Sequence, residues 1–353
     1  MLVSQPSPDS VPKMADSTSR PAVDWKELIA PAQPFLQAVS ERLSEQIQSF
    51  DRDIAAYADY ALTNQGKQLR PALVALSGSA TGKPGDGHVM AAVIIEMVHL
   101  ATLVHDDVMD GASVRRNRPT LAAQWGNEIS VLLGDCLFAH ALKLAAGFPT
   151  TEICRAVAAA TNTVCTGEIL QTQRRRHFNL TQAEYFKILE MKTGELFALS
   201  CDLGAFLSGA VPAQRTLLRE YGMAVGTAYQ IYDDCVDVFG SEVAVGKSLG
   251  TDLAKGKLTL PVLVALERAT SAERAHIESL IVGWQPNRLA EMQEILQRHQ
   301  ALDESQIEVQ RQLDTARACL VDLPESKASA GLAGLADYLE QQTTALGSKT
   351  ARL

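Results

Sequence analysis

The sequence predicts an all-α protein. Apolar residues recur three and four positions apart, Ala and Leu are abundant while aromatics make up only 5%, and alternating β-branched runs are scarce. At 353 residues and 46% hydrophobic content, the chain can bury one large core or two small ones without staples. Cys136, Cys154, Cys165, Cys201, Cys235 and Cys319 show no CxxC spacing, which argues against a disulfide framework or zinc cluster and predicts a reducing, cytoplasmic compartment. A net charge of -9 opposes nucleic-acid binding, which demands a basic face.

Residues 1–24, too polar for a signal peptide and neither Arg-rich nor free of acid, are expected to form a disordered tail. Residues 25–345 show no shift in composition and no repeat beyond one doubled motif, so a single large helical domain is expected, followed by a short tail at 346–353. Breakers at GKPGDG (82–87), GASVRRNRPT (111–120), GFPT (147–150), GAVP (209–212), FGSEVAVGKSLGTDLAKGK (239–257) and GWQPN (283–287) divide it. They leave helices of roughly 15 to 30 residues. The most apolar window, residues 89–104, is interrupted by Glu96 and His99 and falls short of the ~20 residues a bilayer span needs, so no transmembrane helix is expected. TQAE at 181–184 reads as a capping box starting a helix that runs through YFKILEMKTGELFALSCDLGAFL.

The anomaly is charge. Residues 105–110 read HDDVMD and residues 232–237 read YDDCVD, inside otherwise apolar stretches. On a helix Asp106, Asp107 and Asp110 crowd one region and repel, and Asp233, Asp234 and Asp237 repeat the arrangement. Gln230 extends the second set along one helical face. A solitary motif of this kind reads equally well as a solvated acidic face. Two facing one cavity would be prohibitive unless cations neutralise them or their pKa values rise. Carboxylates with no Cys nearby and few His are hard oxygen ligands suited to magnesium, which keeps waters and shares phosphate oxygens, so a phosphorylated ligand is expected.

Such a ligand needs cations as well. NQGKQLRP (64–71) supplies Lys67 and Arg70 at the start of a helix, VRRNRP supplies Arg115 and Arg116 just past Asp110, and GKSLGTDLAKGK supplies Lys247, Lys255 and Lys257 among glycines able to fold over a ligand. The triplet Arg174–Arg176 is assigned to a solvated loop.

These stretches, in this order, resemble the trans-isoprenyl diphosphate synthases of the polyprenyl synthetase family, of the medium- to long-chain type, over about residues 25–345. GKQLRP is similar to the family's GKRLRP, EMVHLATLVHDDVMD to its first aspartate motif, RRN to its RRG, EMKTGELF to its KTG or KTA segment, YQIYDDCVDVFG to its second aspartate motif and GKSLGTDLAKGKLTLP to its lid. The resemblance implies a helical bundle of the isoprenoid synthase type around a central cavity, a homodimer, and more than one Mg2+ per site. Position by position it implies that Lys67, Arg70, His99 and Arg116 hold isopentenyl diphosphate, and that Arg115, Lys192, Thr193, Gln230, Lys247 and Lys257 hold the allylic diphosphate. Lys192, Thr193, Gln230 and Lys257 form the implied catalytic set. Asp106, Asp110 and Asp233 are the implied metal ligands, with Asp107, Asp234 and Asp237 close by or bound through water, and Gln171 faces the reacting carbons. Two departures stand out: Gln68 replaces an arginine of the first basic motif, and Asn117 replaces a glycine whose freedom at φ > 0 could matter to the loop. His105 receives no role.

The implied chemistry is electrostatic. Cations stabilise the departing diphosphate, and the allylic carbocation meets the double bond of isopentenyl diphosphate in a site closed to water. A class I terpene cyclase would not need the second diphosphate site formed by Lys67, Arg70, His99 and Arg116, and a noncatalytic subunit would not need both acidic motifs. A hydroxyl or aromatic prenyl acceptor is disfavoured by the same second site.

Product length follows from the residues preceding Asp106, namely Thr102, Ala101, Val98 and Met97. Short-chain members of the family tend to carry an aromatic at one of the nearest two; here Ala101 and Thr102 leave the channel open. Each helical turn rises about 5.4 Å, on the order of one isoprene unit, which favours a product above twenty carbons over farnesyl length. Leu137 or Phe138 on the next helix is a candidate floor. Ala101→Phe is expected to shorten the product by chromatography; product lengths identical to the parent's would contradict this assignment.

Overall fold

Asp24 opens the fold by capping the first helix, its carboxylate accepting from the Lys26 N–H. The computed structural model describes residues 24–63, 66–241 and 248–348. In chain order the elements begin with α1 (Trp25–Ile29), a 3-10 turn, α2 (Gln33–Ile47), α3 (Ala55–Thr63), α4 (Leu69–Thr81) and α5 (Asp86–Met109). A two-stranded hairpin, β1 (Val114–Arg115) and β2 (Arg118–Pro119), is followed by α6 (Leu121–Trp125), α7 (Asn127–Ala146) and α8 (Thr151–Gln173). Then come α9 (Gln182–Leu189), a π-helical turn (Glu190–Gly194), α10 (Glu195–Leu207), α11 (Pro212–Phe239) and α12 (Thr251–Ala254). The chain closes with α13 (Leu260–Arg268), α14 (Ser271–Val282), α15 (Leu289–Arg298), α16 (Ala301–Leu320) and α17 (Lys327–Ser348). The all-α expectation holds, the hairpin being the only strand pair among the described residues.

The centre is α5. Every residue from 91 to 98 is buried, which is why the sequence there is apolar on all sides rather than on one stripe. It packs against α2, α4, α7 and α10, while α10 also packs against α11, so the two aspartate-bearing helices are held across α10. Small residues permit this spacing: a Cβ at Gly226 would stand 2.9 Å from the Gly194 Cα, and one at Gly222 would stand 2.6 Å from the Phe197 carbonyl oxygen. Among the described residues four apolar clusters fill the space, one around α5, α7 and α8, one beneath the end of α11 with α13 to α16, one between α4, α10, α11 and α17, and a small one where α1 and α2 meet α4.

Several expectations change in detail. The capping box at Thr181 and Glu184 forms with both reciprocal bonds, but the single helix predicted after it is interrupted by the π-helical turn that carries Lys192 and Thr193. A Cβ at Gly167 of α8 would lie 3.0 Å from the Lys192 nitrogen, so α8 presses directly on that turn. The predicted C-terminal tail begins inside a helix, since α17 continues to Ser348, whereas the predicted N-terminal tail lies outside the described residues up to residue 23. By length and composition both α5 and α7 could cross a bilayer, against the expectation that no segment could. The difference arises because the helices run past the apolar window to their caps. In α5 the apolar stretch is 72% buried in the core; in α7 only 39% is, and Leu132 is 61% exposed.

The hairpin answers the question of Asn117. Register pairs Arg115 with Arg118, leaving Arg116 and Asn117 as a two-residue loop with φ of 51° and 59°, the signs a type I′ turn requires. Asparagine visits this left-handed region more readily than other side-chain residues, so the turn survives without the glycine.

Candidate active site

Both acidic motifs lie in the last turns of their helices, where the helix dipole already disfavours anions. Burial sorts the six carboxylates. Asp107, Asp234 and Asp237 are 5%, 5% and 1% exposed, whereas Asp106, Asp110 and Asp233 are half-buried.

Each inner carboxylate is committed to a protein partner. Asp107 Oδ1 accepts from Arg115 Nε at 2.8 Å, though burial still holds its carboxyl above the usual range. Asp234 accepts from the Tyr185 hydroxyl at 2.7 Å and from Gln230 Nε2 at 2.8 Å; burial, with Asp252 adding repulsion, pushes its carboxyl up to about 8. Asp237 accepts from the Thr251 N–H and hydroxyl and from the Asp252 N–H, so it ties the start of α12 to α11.

Two of the outer carboxylates, Asp106 and Asp110, meet cations instead. Lys192 Nζ stands 3.6 Å from Asp106, 2.6 Å from Glu168 and 3.0 Å from Gln171 Oε1. Burial opposes that ammonium's charge, but Asp106 and Glu168 outweigh it and raise its pKa. Asp110 takes Arg175 on one oxygen at 2.8 Å and Lys255 and Lys257 on the other at 2.9 and 3.2 Å. Burial would raise the Asp110 carboxyl, yet Lys257 and Lys255 bring it down to about 2.

Two chains of contacts join the two acidic clusters. From Asp106 one passes through Lys192 to its neighbour Thr193, whose hydroxyl donates to Gln230 Oε1 at 2.8 Å, and on to Asp234. From Asp110 the other passes through Lys257 to Asp252, 3.6 Å away, and on to Asp237. Among the described residues no three acidic, His or Cys side chains close into a ready-made metal cage. The cations clustered on Asp110 mark where neutralising charge is needed.

A second basic group lies beside the first. A Cβ on Gly66 would fall 2.4 Å from an Arg116 guanidinium nitrogen, which places the glycine preceding Lys67 against Arg116. Arg70 stacks over Phe197 at 4.9 Å with its Nε buried and unpartnered, and Lys67 stands 5.9 Å from the Tyr338 ring centroid. Glu96, buried at 3% exposure, is held above the normal carboxyl range by desolvation, against the pull of Arg70 and Arg116. Burial and the neighbouring Arg70, Arg116 and Arg115 push His99 well below its usual pKa, so it is a neutral hydrogen-bonding group here rather than a cation.

The polyprenyl synthetase family model matches residues 51–299. The chain belongs to that family. It is 32% identical over 306 residues to octaprenyl diphosphate synthase of Haemophilus influenzae, covering 86% of this chain and 93% of that one. It is 33% identical over 311 residues to the short chain isoprenyl diphosphate synthase of Methanothermobacter thermautotrophicus, covering 86% and 95%. Its fold superposes on the crystal structure of polyprenyl synthase from Caulobacter crescentus CB15 complexed with calcium and isoprenyl diphosphate, with a TM-score of 0.86 and 32% identity over 91% of this chain and 99% of that one.

Asp106 and Lys192, Thr193 and Gln230, and Asp110 and Lys257 are brought together, Asp233 is half-buried three residues beyond Gln230 on the same helix, and Lys247 lies outside the described residues. Gln171, expected to face reacting carbons, binds Lys192. Arg175, assigned to a solvated loop, turns inward onto Asp110, because the chain reverses tightly after α8 and Arg176 adopts a left-handed φ of 58°. Met97, Val98 and Ala101 are fully closed over in the core, Thr102 is half-buried, Leu137 is buried and Phe138 packs beside His105. His105 itself meets the Val131 carbonyl at 3.0 Å, joining α5 to α7. Glu168 and Tyr185 were missed. Glu168 sits in the GEILQ stretch and was legible as a lysine partner only once Lys192 was placed, while nothing local marks Tyr185. Tyr185→Phe leaves the buried Asp234 one donor short and is expected to lower unfolding stability by about 1–3 kcal/mol with unchanged denaturant slope; a loss below ~0.5 kcal/mol would contradict that role.

Proposed function

We propose that the protein condenses an allylic diphosphate with isopentenyl diphosphate, head-to-tail and repeatedly, to a trans-polyprenyl diphosphate longer than C20. The observation that carries this is the pairing of half-buried Asp106 with Lys192 and of half-buried Asp110 with Arg175, Lys255 and Lys257, beside a second basic group that includes Arg70 and Arg116. Asp106, Asp110 and Asp233 would hold Mg2+, more than one ion per site, and the metal when bound supplies positive charge to the departing diphosphate.

This chain's own residues do the rest. Lys192, Lys257 and Arg115 offer fixed charge to the allylic diphosphate, with Thr193 and Gln230 locked to each other beside it. Lys67, Arg70 and Arg116 offer a separate cradle for isopentenyl diphosphate, and neutral His99 contributes a hydrogen bond. Segment 251–257, fastened by Asp237 at its start and by Lys255 and Lys257 at its end, lies against Asp110, where it would help exclude water from the bound substrates. Ala101, one turn before the aspartates, presents a small side chain where an aromatic would stop a growing chain.

The same reading includes a homodimer, for which the uncovered apolar side chains Val131 and Leu132 of α7 and Ile169 of α8 are the candidate face. Peripheral membrane contact for product release belongs to it too. The free cysteines, Cys136 and Cys165 exposed among them, support a cytoplasmic location.

The test is a chain-length assay of the purified protein with farnesyl diphosphate and labelled isopentenyl diphosphate in Mg2+. The expected products exceed C20 and vanish with a chelator. Products ending at C15 or C20 would favour the short-chain alternative, hydrocarbon released without isopentenyl diphosphate a cyclase, and activity only with an added partner the subunit reading.

A further inference from the structure

The turn between α8 and α9 carries Arg174, Arg175 and Arg176, and the three side chains part company. Arg174 pairs with Glu184 on α9. Arg176 donates its backbone N–H to the Gly256 carbonyl at 2.7 Å, and a Cβ on Gly256 would lie 2.4 Å from the Arg176 Cγ. Arg175 alone turns inward to the first acidic motif, reaching Asp110 from α8's side while Lys255 and Lys257 reach it from either flank of Gly256. Turn and covering segment are thus seated on one another, with strained left-handed backbone at Arg176.

Asp110 is shared by three positive groups, Arg175, Lys255 and Lys257, and Lys257 has a further carboxylate in Asp252 at 3.6 Å. A metal ion taking Asp110 would release Arg175 from the one carboxylate it holds. The Arg175 guanidinium is also half used: one terminal nitrogen holds Asp110, and its Nε is buried with no acceptor. A guanidinium edge with an unused donor, beside a carboxylate that a metal would claim, suits an anion with several oxygens in fixed geometry.

We propose that Arg175 is a diphosphate-binding residue of this site, holding Asp110 while the metal is absent and passing to the diphosphate oxygens when metal takes the carboxylate. The inference rests on the prenyl-transfer reading above. It adds a cation on an element outside the three basic stretches and couples the α8–α9 turn to segment 251–257 through the Arg176–Gly256 contact.

The experiment uses the full-length protein and two probes, Mn2+ alone followed by electron paramagnetic resonance, and inorganic pyrophosphate titrated calorimetrically in saturating Mn2+. Arg175→Gln is expected to bind pyrophosphate about tenfold more weakly than the parent while binding Mn2+ alone at least as tightly, because a competitor for Asp110 has gone. Arg175→Lys, which keeps the charge but loses the fork, should fall between, and Arg174→Gln should match the parent within about twofold. Thermal midpoints check that each variant is folded; should Arg175→Gln fail to fold, Arg175→Lys carries the test alone. Pyrophosphate affinity within twofold of the parent, or Mn2+ alone bound more weakly by the variant, would overturn the proposal. A parent protein that transfers no prenyl group would instead overturn the reading beneath it.

Discussion

Six carboxylates gathered at the C-terminal ends of two buried helices repel one another and the helix dipoles, and the remainder of the structure is arranged to offset that repulsion. Three of them are neutralised or satisfied within the protein, by Arg115, by Tyr185 with Gln230, and by the start of α12. The outer three, Asp106, Asp110 and Asp233, are less buried, and side-chain ammonium and guanidinium groups stand beside Asp106 and Asp110. An anionic leaving group accompanied by divalent cations converts the same layout from a set of internal ion pairs into a binding site. The electrostatics of the resting protein and of the proposed reaction are therefore one problem.

The fold serves that arrangement through close approach. Glycines on α11 let it lie against α10, and Gly167 lets α8 press on the π-helical turn, which together bring Lys192 and Thr193 within reach of both acidic helices. A regular helix through residues 190–194 would rotate those side chains relative to α8 and α11. The extra residue in the turn is thus part of the site's geometry. Beyond it, Asp237 links the second aspartate motif to the segment that returns Lys255 and Lys257 to the first. A carboxylate that looks like a metal ligand in one dimension serves as an anchor in three.

Much of this was legible in the sequence because local periodicity and charge carry it. The apolar window of α5, the capping box at Thr181 and the spacing of both aspartate motifs follow from residues three or four apart. What was not legible depends on contacts between distant segments. Arg175 looks like one of three surface arginines until the tight turn after α8 directs it to Asp110, 65 positions away. Tyr185 is an ordinary apolar-face residue until Asp234, 49 positions on, needs its hydroxyl. Nor could spacing separate inner from outer aspartates, since i and i+1 differ only in which way the helix is rotated against its neighbours.

The central claim is that the outer aspartates of both motifs share one metal-diphosphate site. A crystal structure with Mn2+ and inorganic pyrophosphate, the ions located by anomalous scattering, tests it most directly. The account predicts manganese on Asp106 and Asp110 and on Asp233, bridged by one pyrophosphate between the two motifs. Manganese at only one motif, or pyrophosphate bound away from both, would contradict it.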